Sequence, residues 1–339
     1  MTELKNIAKQ MVELGKGILA ADESTGTIGK RFNAINLENT ETNRQVYRQL
    51  LFTTPNIGKY ISGVIMYDET IRQKTDTKES FVSVLEKAGV LPGIKVDQST
   101  APDENSPNEK ITKGLEGLPE RLKEYDSMGA KFAKWRAVIN ISEELNLPTD
   151  ENLRQNSKDL AQYAKYCQEA GIVPIVEPEV LMDGNHSMKK CEEVTEKTLR
   201  FLFENLNKAG VEIEGIILKP NMIVPGKDSG QKASSEEIAK TAIDLFKKIL
   251  PENLPGVVFL SGGQSEVEAT ENLNAMNRLE DLPWTLSFSY GRALQESVIK
   301  TWNGRKENVS EAQKAFIHRA KMNSLATLGK YSSELENFA

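Results

Sequence analysis

Eight short runs rich in branched and aromatic residues recur along the chain, and their number and spacing constrain the fold more than any other feature. They are GILAAD (17–22), ISGVIMY (61–67), GIKVD (93–97), FAKWRAVI (132–139), IVPIVEPEV (172–180), EGIILKPN (214–221), GVVFLSGG (256–263) and WTLSFSYG (284–291). Each ends near a polar residue, Gly or Pro, as strands do. Their starts lie 28 to 44 residues apart, which leaves room for a crossover helix and its loops in every unit. Segments 150–171, 187–209, 234–250, 292–301 and 311–329 read as helices from the spacing of their apolar residues. SSEE at 234–237 offers a serine cap followed by acids in the first turn. No low-complexity stretch divides the chain. The pattern predicts an α/β fold, a (β/α)₈ TIM barrel in one domain over residues 1–331, with 332–339 left as a short mobile tail. A doubly wound sheet is the alternative. It would have fewer strands and a Gly-rich turn after the first, and no GxGxxG follows any strand here.

Composition narrows the function. Forty-three Lys and Arg against 49 Asp and Glu leave a net charge of −6, which argues against a protein that coats nucleic acid or an anionic membrane. No apolar run approaches the ~20 residues of a membrane span. The opening MTELKNIAKQMVELGKG lacks the apolar core of a secretory signal and the Arg/Ser bias of a transit peptide. Cys167 and Cys191 cannot make a disulfide framework, so a reducing, cytoplasmic setting is expected. With His186 and His318 they show no ligand spacing, and no metal or other cofactor is expected. Trp135 and Trp302 read as packing residues.

Strand side chains alternate, so residues i and i+2 share a face. That rule puts Lys95 with Asp97, Lys134 with Arg136, Glu177 with Glu179, and Lys219 with Ile217, each set opposite the apolar residues between them. Ser287, Ser289 and Gly291 oppose Leu286, Phe288 and Tyr290, and Asp22 follows Ala20 and Ile18. The apolar face should meet the helices and the polar face the barrel mouth, where barrel enzymes place their chemistry. Four cations and four carboxylates crowded there would each be costly to bury unless paired. A hydrolase triad is excluded because the serines lack a histidine base. A lysine among other cations is the mark of an amine kept partly neutral to attack a carbonyl, with Lys134 and Lys95 acting on Lys219 or the reverse. Ser261, Gly262 and Gly263 after the seventh strand, and Ser289, Gly291 and Arg292 after the eighth, suit a phosphate. The residues therefore point to an imine-forming lyase acting on a phosphorylated carbonyl compound.

These residues also lie in motifs. ILAADESTGTIGKR (18–31), ENTETNRQVYRQLLFTT (38–54), GIKVDQ (93–98), AKWRAV (133–138), GIVPIVEPEVLMDGNH (171–186), LKPNM (218–222), FLSGGQSE (259–266), FSYGRALQ (288–295) and GKY (329–331) resemble class I fructose-1,6-bisphosphate aldolase, over nearly the whole chain. The resemblance implies a substrate, fructose 1,6-bisphosphate, and roles by position. Lys219 would form the Schiff base with the C2 ketone. Glu177 would be the acid–base in forming and dehydrating the carbinolamine, and Glu179 would orient neighbouring lysines. Lys134 and Arg136 would stabilise the carbinolamine and contact substrate. Asp22 would accept the C4 hydroxyl proton, and Lys95 would sit near Asp22 and the far end of the sugar. Ser261, Gly262, Ser289, Gly291 and Arg292 would take the C1 phosphate, with Ser24, Thr27 and Arg31 by the C6 phosphate. A homotetramer is also implied.

One departure bears on mechanism. Longer members of that family carry a terminal tyrosine that helps protonate the enamine. Here no tyrosine follows Tyr331, so the tail is expected to have little catalytic weight. Two other readings stand beside the aldolase: another imine-forming barrel enzyme such as a transaldolase or a deoxyribose-phosphate aldolase, and a catalytically silent barrel scaffold.

Overall fold

A computed structural model describes residues 2–337. Eight parallel strands close a barrel: β1 (Gly17–Ala21), β2 (Ile61–Met66), β3 (Leu91–Lys95), β4 (Phe132–Ile139), β5 (Val173–Val180), β6 (Ile217–Leu218), β7 (Gly256–Phe259) and β8 (Thr285–Tyr290). Each pairs with its neighbours in chain order, and β8 returns to β1. All eight runs read from the sequence are barrel strands. The five expected helices are present as Asp150–Glu169, Met188–Lys208, Ser235–Ile249, Arg292–Trp302 and Val309–Thr327. Their ends follow local chemistry. Ser234 and Glu237 form a reciprocal capping box, and Gly171 takes the left-handed φ of +78° just past Asp150–Glu169, where a side chain would be strained.

Two apolar layers follow from the alternation. Outward residues such as Trp135, Val176, Leu218 and Phe288 pack under the helices. Inward residues Ile18, Ala20, Ile65, Phe132, Val173, Ile175, Ile217 and Val258 fill the barrel floor. The N-terminal helix Thr2–Met11 seals that floor with Leu4, Ile7, Ala8 and Met11, whose spacing of three and four residues makes one helical face. The inward face is thus apolar low in the barrel and charged only at the mouth. Trp135 and Trp302 are buried, stacked on Tyr163 and Tyr47, and both cysteines are buried and unpaired.

One pair of strands was not legible. After β3 the chain forms a small antiparallel hairpin, Thr100–Pro102 with Lys110–Thr112. Buried Glu109 accepts from the Thr149 amide (2.9 Å) and hydroxyl (2.6 Å). The Thr112 hydroxyl donates to the Arg136 carbonyl at 2.7 Å. The hairpin is thereby fixed over the end of β4.

The last described turn, Ser333–Asn337, is anchored by Glu336. Both its oxygens accept from Arg319 Nη1 at 2.6 Å, and it also accepts from Tyr331 Oη at 2.8 Å and faces His318 Nε2 at 3.1 Å. The segment expected to be mobile is thus docked as far as Glu336, while Phe338 and Ala339 lie outside the described residues. Burial would raise the Glu336 carboxyl, but Arg319, His318 and Tyr331 hold it below the usual range. A depressed carboxylate stabilises the fold above its unfolded pKa and loses that contribution as pH falls through its folded pKa. Glu336→Gln should lower stability by roughly 1 kcal/mol at pH 7, allowing for solvent screening. The deficit in thermal melts should close below about pH 4. A deficit that persists undiminished at pH 3 would count against the ion pair as its source.

Candidate active site

The C-terminal ends of the strands surround a cavity of 450 Å³. Asp22, Ser24, Thr27, Arg31, Lys95, Lys134, Arg136, Glu177, Glu179, Lys219, Ser261, Gly262, Ser289 and Gly291 all line it. Gly263 and Arg292 are the expected residues outside the wall. A larger groove of 1010 Å³ lies outside the barrel and includes none of these residues.

Register explains the convergence. Lys95 stands opposite Lys134, Arg136 opposite Glu177, and Val138 opposite Glu179. Lys219 follows β6, and its amide donates to the Val176 carbonyl at 2.8 Å. Asn221 accepts from the Val180 amide at 3.2 Å, tying the LKPN turn to the end of β5. A continuous chain of charges results. Lys219 Nζ lies 3.0 Å from Glu177 Oε1, Lys134 Nζ lies 3.2 Å from Glu177 Oε2, and the same Lys134 Nζ lies 2.7 Å from Asp22 Oδ2. Lys219, Glu177 and Lys134 are each only 4% exposed, so every charge here depends on its neighbour. Lys95 pairs with Asp97 at 2.6 Å. Glu179 pairs with Arg136, not with a lysine as the resemblance implied. Arg136 is opposite Glu177, so Glu179, two residues along on the same face, meets the end of the longer arginine side chain.

Burial and charge compete at each group. Burial would raise the Asp22 carboxyl, but Lys134, Lys219 and Lys95 together hold it well below the usual range. Glu177 is likewise lowered, by Lys134, Lys219 and Arg136 against burial. Lys134 is raised because Asp22, Glu177 and Asp97 outweigh the cost of burying its ammonium. The carboxylates are therefore ionised and Lys134 is a fixed cation at neutral pH.

A second set of groups lies at β7 and β8. Gly262 has a φ of +56°, a conformation that turns successive amides toward one point. Gly291 caps Arg292–Trp302 without a side chain, leaving the helix N-terminus to face an anion. The Ser289 hydroxyl is buried with no partner among the described residues. Arg292 bridges the two loops at the rim, donating to the Gly262 carbonyl at 2.7 Å. Ser24 and Thr27 share a hydroxyl contact at 3.1 Å. Arg31 Nη2 lies 3.5 Å from where a Cβ on Gly291 would stand, so Arg31 sits nearer the β8 loop than its place after β1 suggested. No cluster of three or more His, Cys, Asp or Glu among the described residues is arranged to hold a metal ion.

The sequence reading missed Glu23, Thr100 and Lys110, which also line the cavity. Strand alternation assigns Glu23 to the face opposite Asp22, but β1 ends at Ala21 and the rule lapses there. Thr100 and Lys110 arrive on the hairpin, whose three-residue strands leave no periodic signal.

The family model described as fructose-bisphosphate aldolase class-I matches residues 3–339. Fructose-bisphosphate aldolase of Dictyostelium discoideum is 54% identical, over 98% of this chain and 93% of the relative. Cytosolic fructose-bisphosphate aldolase 4 of Arabidopsis thaliana is 54% identical, over 95% of this chain and 82% of the relative. A solved structure of fructose-bisphosphate aldolase from Plasmodium falciparum, in complex with TRAP and a small-molecule inhibitor, superposes with a TM-score of 0.97 at 49% identity, covering 98% of this chain and 96% of that one.

Proposed function

The chain belongs to the class-I fructose-bisphosphate aldolase family, so it cleaves fructose 1,6-bisphosphate reversibly to dihydroxyacetone phosphate and glyceraldehyde 3-phosphate through a lysine Schiff base, and we propose that Lys219 is that lysine. The observation that carries the assignment is the unbroken run Lys219–Glu177–Lys134–Asp22 at 3.0, 3.2 and 2.7 Å. Membership displaces the transaldolase-like alternative. The silent-scaffold alternative would require a lost strand-end charge, and the full set is present.

Lys219 passes its ammonium proton to Glu177 Oε1, 3.0 Å away, and the amine so freed adds to the C2 carbonyl. A proton moves from the adduct's nitrogen to its oxygen to give the neutral carbinolamine, and Glu177 then returns its proton to that hydroxyl, which departs as water and leaves an iminium. Lys134, held cationic, stabilises oxygen charge as it develops. Asp22 takes the C4 hydroxyl proton while the C3–C4 electrons flow into the iminium, giving an enamine and releasing the aldehyde. Protonation at C3 and hydrolysis return Lys219. Because the electrons enter an iminium, no free carbanion forms. Arg136 and Glu179 hold the rim above Glu177, and Lys95 with Asp97 faces the far end of the sugar.

Ser261, Gly262, Ser289, Gly291 and Arg292 are assigned the C1 phosphate, and Ser24, Thr27 and Arg31 the other phosphate. Arg292→Ala should raise KM for fructose 1,6-bisphosphate by roughly 10- to 100-fold, since a charge-assisted bond contributes ~1.5–3 kcal/mol. An unchanged KM would remove Arg292 from the site. Segment 332–339 is assigned little catalytic weight, a homotetramer is the proposed assembly, and the cytoplasm is the proposed location, in line with the cytosolic naming of the Arabidopsis relative.

The test of the reading is a cleavage assay with fructose 1,6-bisphosphate in excess EDTA. Product should form at the same rate with and without chelator, because the electron sink is a covalent imine. Loss of activity on chelation, restored by zinc, would overturn it.

A further inference from the structure

Glu23 joins two arginines. Its Oε1 pairs with Arg31 and accepts from Gln295 Nε2 at 3.0 Å, and its Oε2 accepts from Arg48 Nη2 at 2.6 Å. Gln295 also donates to the Ala20 carbonyl at 2.9 Å and accepts from Tyr47 Oη at 2.9 Å, so the carboxylate is held on both sides. The two cations differ in freedom. The Arg48 side chain is 3% exposed and Arg31 is 23% exposed. Arg48 lies on Glu41–Phe52, beside its own Tyr47 ring and outside the cavity wall, whereas Arg31 lines the cavity. Arg48 Nη1 is buried with no hydrogen-bond partner among the described residues, so Arg48 has a spare donor beside Glu23.

We propose that Glu23 is a dock for Arg31, and that Arg48, a positioning residue out of reach of the sugar, sets how readily Arg31 passes from Glu23 to a substrate phosphate. Two cations share one carboxylate. When Arg31 turns to a phosphate, Glu23 keeps Arg48 and Gln295 and is not left as an unpaired buried charge. Without Arg48, Arg31 becomes the only cation among the described residues in contact with Glu23. Leaving it would strand the carboxylate, so Arg31 stays docked. Burial works against the Glu23 charge, and Arg31 and Arg48 together keep it ionised. The inference rests on the assignment of Arg31 as a phosphate ligand.

The test is steady-state cleavage of fructose 1,6-bisphosphate by the full-length chain and folded variants. Arg48→Met should raise KM about tenfold, the scale of one charge-assisted bond, with kcat within about twofold. Adding Glu23→Gln should bring KM back to within about threefold of wild type, because the dock loses its charge. On an Arg31→Met background, Arg48→Met should add nothing. Wild-type KM in a cooperatively melting Arg48→Met variant would overturn the proposal. So would additivity with Arg31→Met, or a loss confined to kcat. If Arg48→Met does not fold, Arg48→Gln carries the test. It removes the charge but keeps a polar donor beside Glu23, and an unchanged KM overturns the proposal equally. A wild-type KM in Arg31→Met would instead remove Arg31 from the phosphate site, an outcome separate from failure of the Arg48 effect alone.

Discussion

Borohydride added to the protein with dihydroxyacetone phosphate is expected to end activity and leave a stable label on Lys219 alone. Lys219→Arg is expected to lower kcat by roughly 10⁴-fold or more, since loss of a covalent nucleophile removes the whole imine route. Four lysines line the mouth; Lys110 is exposed on the hairpin, and geometry separates the other three. Lys95 is turned to Asp97 at 2.6 Å. Lys134 is clamped between Asp22 and Glu177 and kept cationic, which suits charge stabilisation and disqualifies it as a nucleophile. Among the described residues Lys219 pairs with one carboxylate, Glu177 at 3.0 Å, which is positioned to take its proton. Arginine is the informative replacement because it retains a cation for Glu177 but cannot form the imine. Peptide mapping decides the matter. A label on Lys134 or Lys95, or trapping that survives in Lys219→Arg, would overturn the assignment.

The barrel was legible because two periodicities coincide in this chain. Strand alternation in FAKWRAVI and IVPIVEPEV puts charge on one face and Trp135 or Val176 on the other, and both faces are as that rule requires. The same rule carried Lys134, Arg136, Glu177, Glu179 and Lys219 to the mouth, because each lies in a strand or just past its end. It failed where the backbone left the sheet. Glu23 follows Asp22 beyond β1, and both reach the cavity. Arg48 occupies a position in Glu41–Phe52 that local sequence cannot tell from an exposed helical arginine. Its burial is settled by Glu23, a contact that exists only once the barrel closes. The hairpin at 100–112 is held from outside itself by Thr149, which donates to Glu109, and by Asn152, which donates to the Lys110 carbonyl, so its own residues carry little sign of it. Partner choice was the least legible property, as Glu179 and Arg136 show: faces follow from alternation, but pairs follow from register between strands far apart in sequence.

Asp22→Asn separates carbon–carbon cleavage from imine formation. Asp22 ends the charge chain opposite Lys219, with Lys134 between them. Its carboxyl lies well below the usual range, held there by Lys134, Lys219 and Lys95. It is therefore always ionised at neutral pH and able to accept a proton, though weak as an isolated base. Weakness is tolerable because the iminium withdraws the C3–C4 electrons as the proton leaves, so the C4 hydroxyl becomes acidic only as the bond breaks. Asparagine matches the shape of aspartate but offers no basic site. Cleavage should then fall by about 10³-fold in kcat, within the ~10²–10⁴ range for a positioned acid–base group. Lys219 and Glu177 remain in contact in that variant, so imine formation should persist. Borohydride should trap fructose 1,6-bisphosphate on Lys219 more fully than in the wild type, since the intermediate accumulates before the blocked step. If kcat falls less than tenfold, another group takes the C4 proton. If trapping is lost in parallel with cleavage, Asp22 acts through Lys134 on the imine step, and the assignment of the C4 base to Asp22 fails.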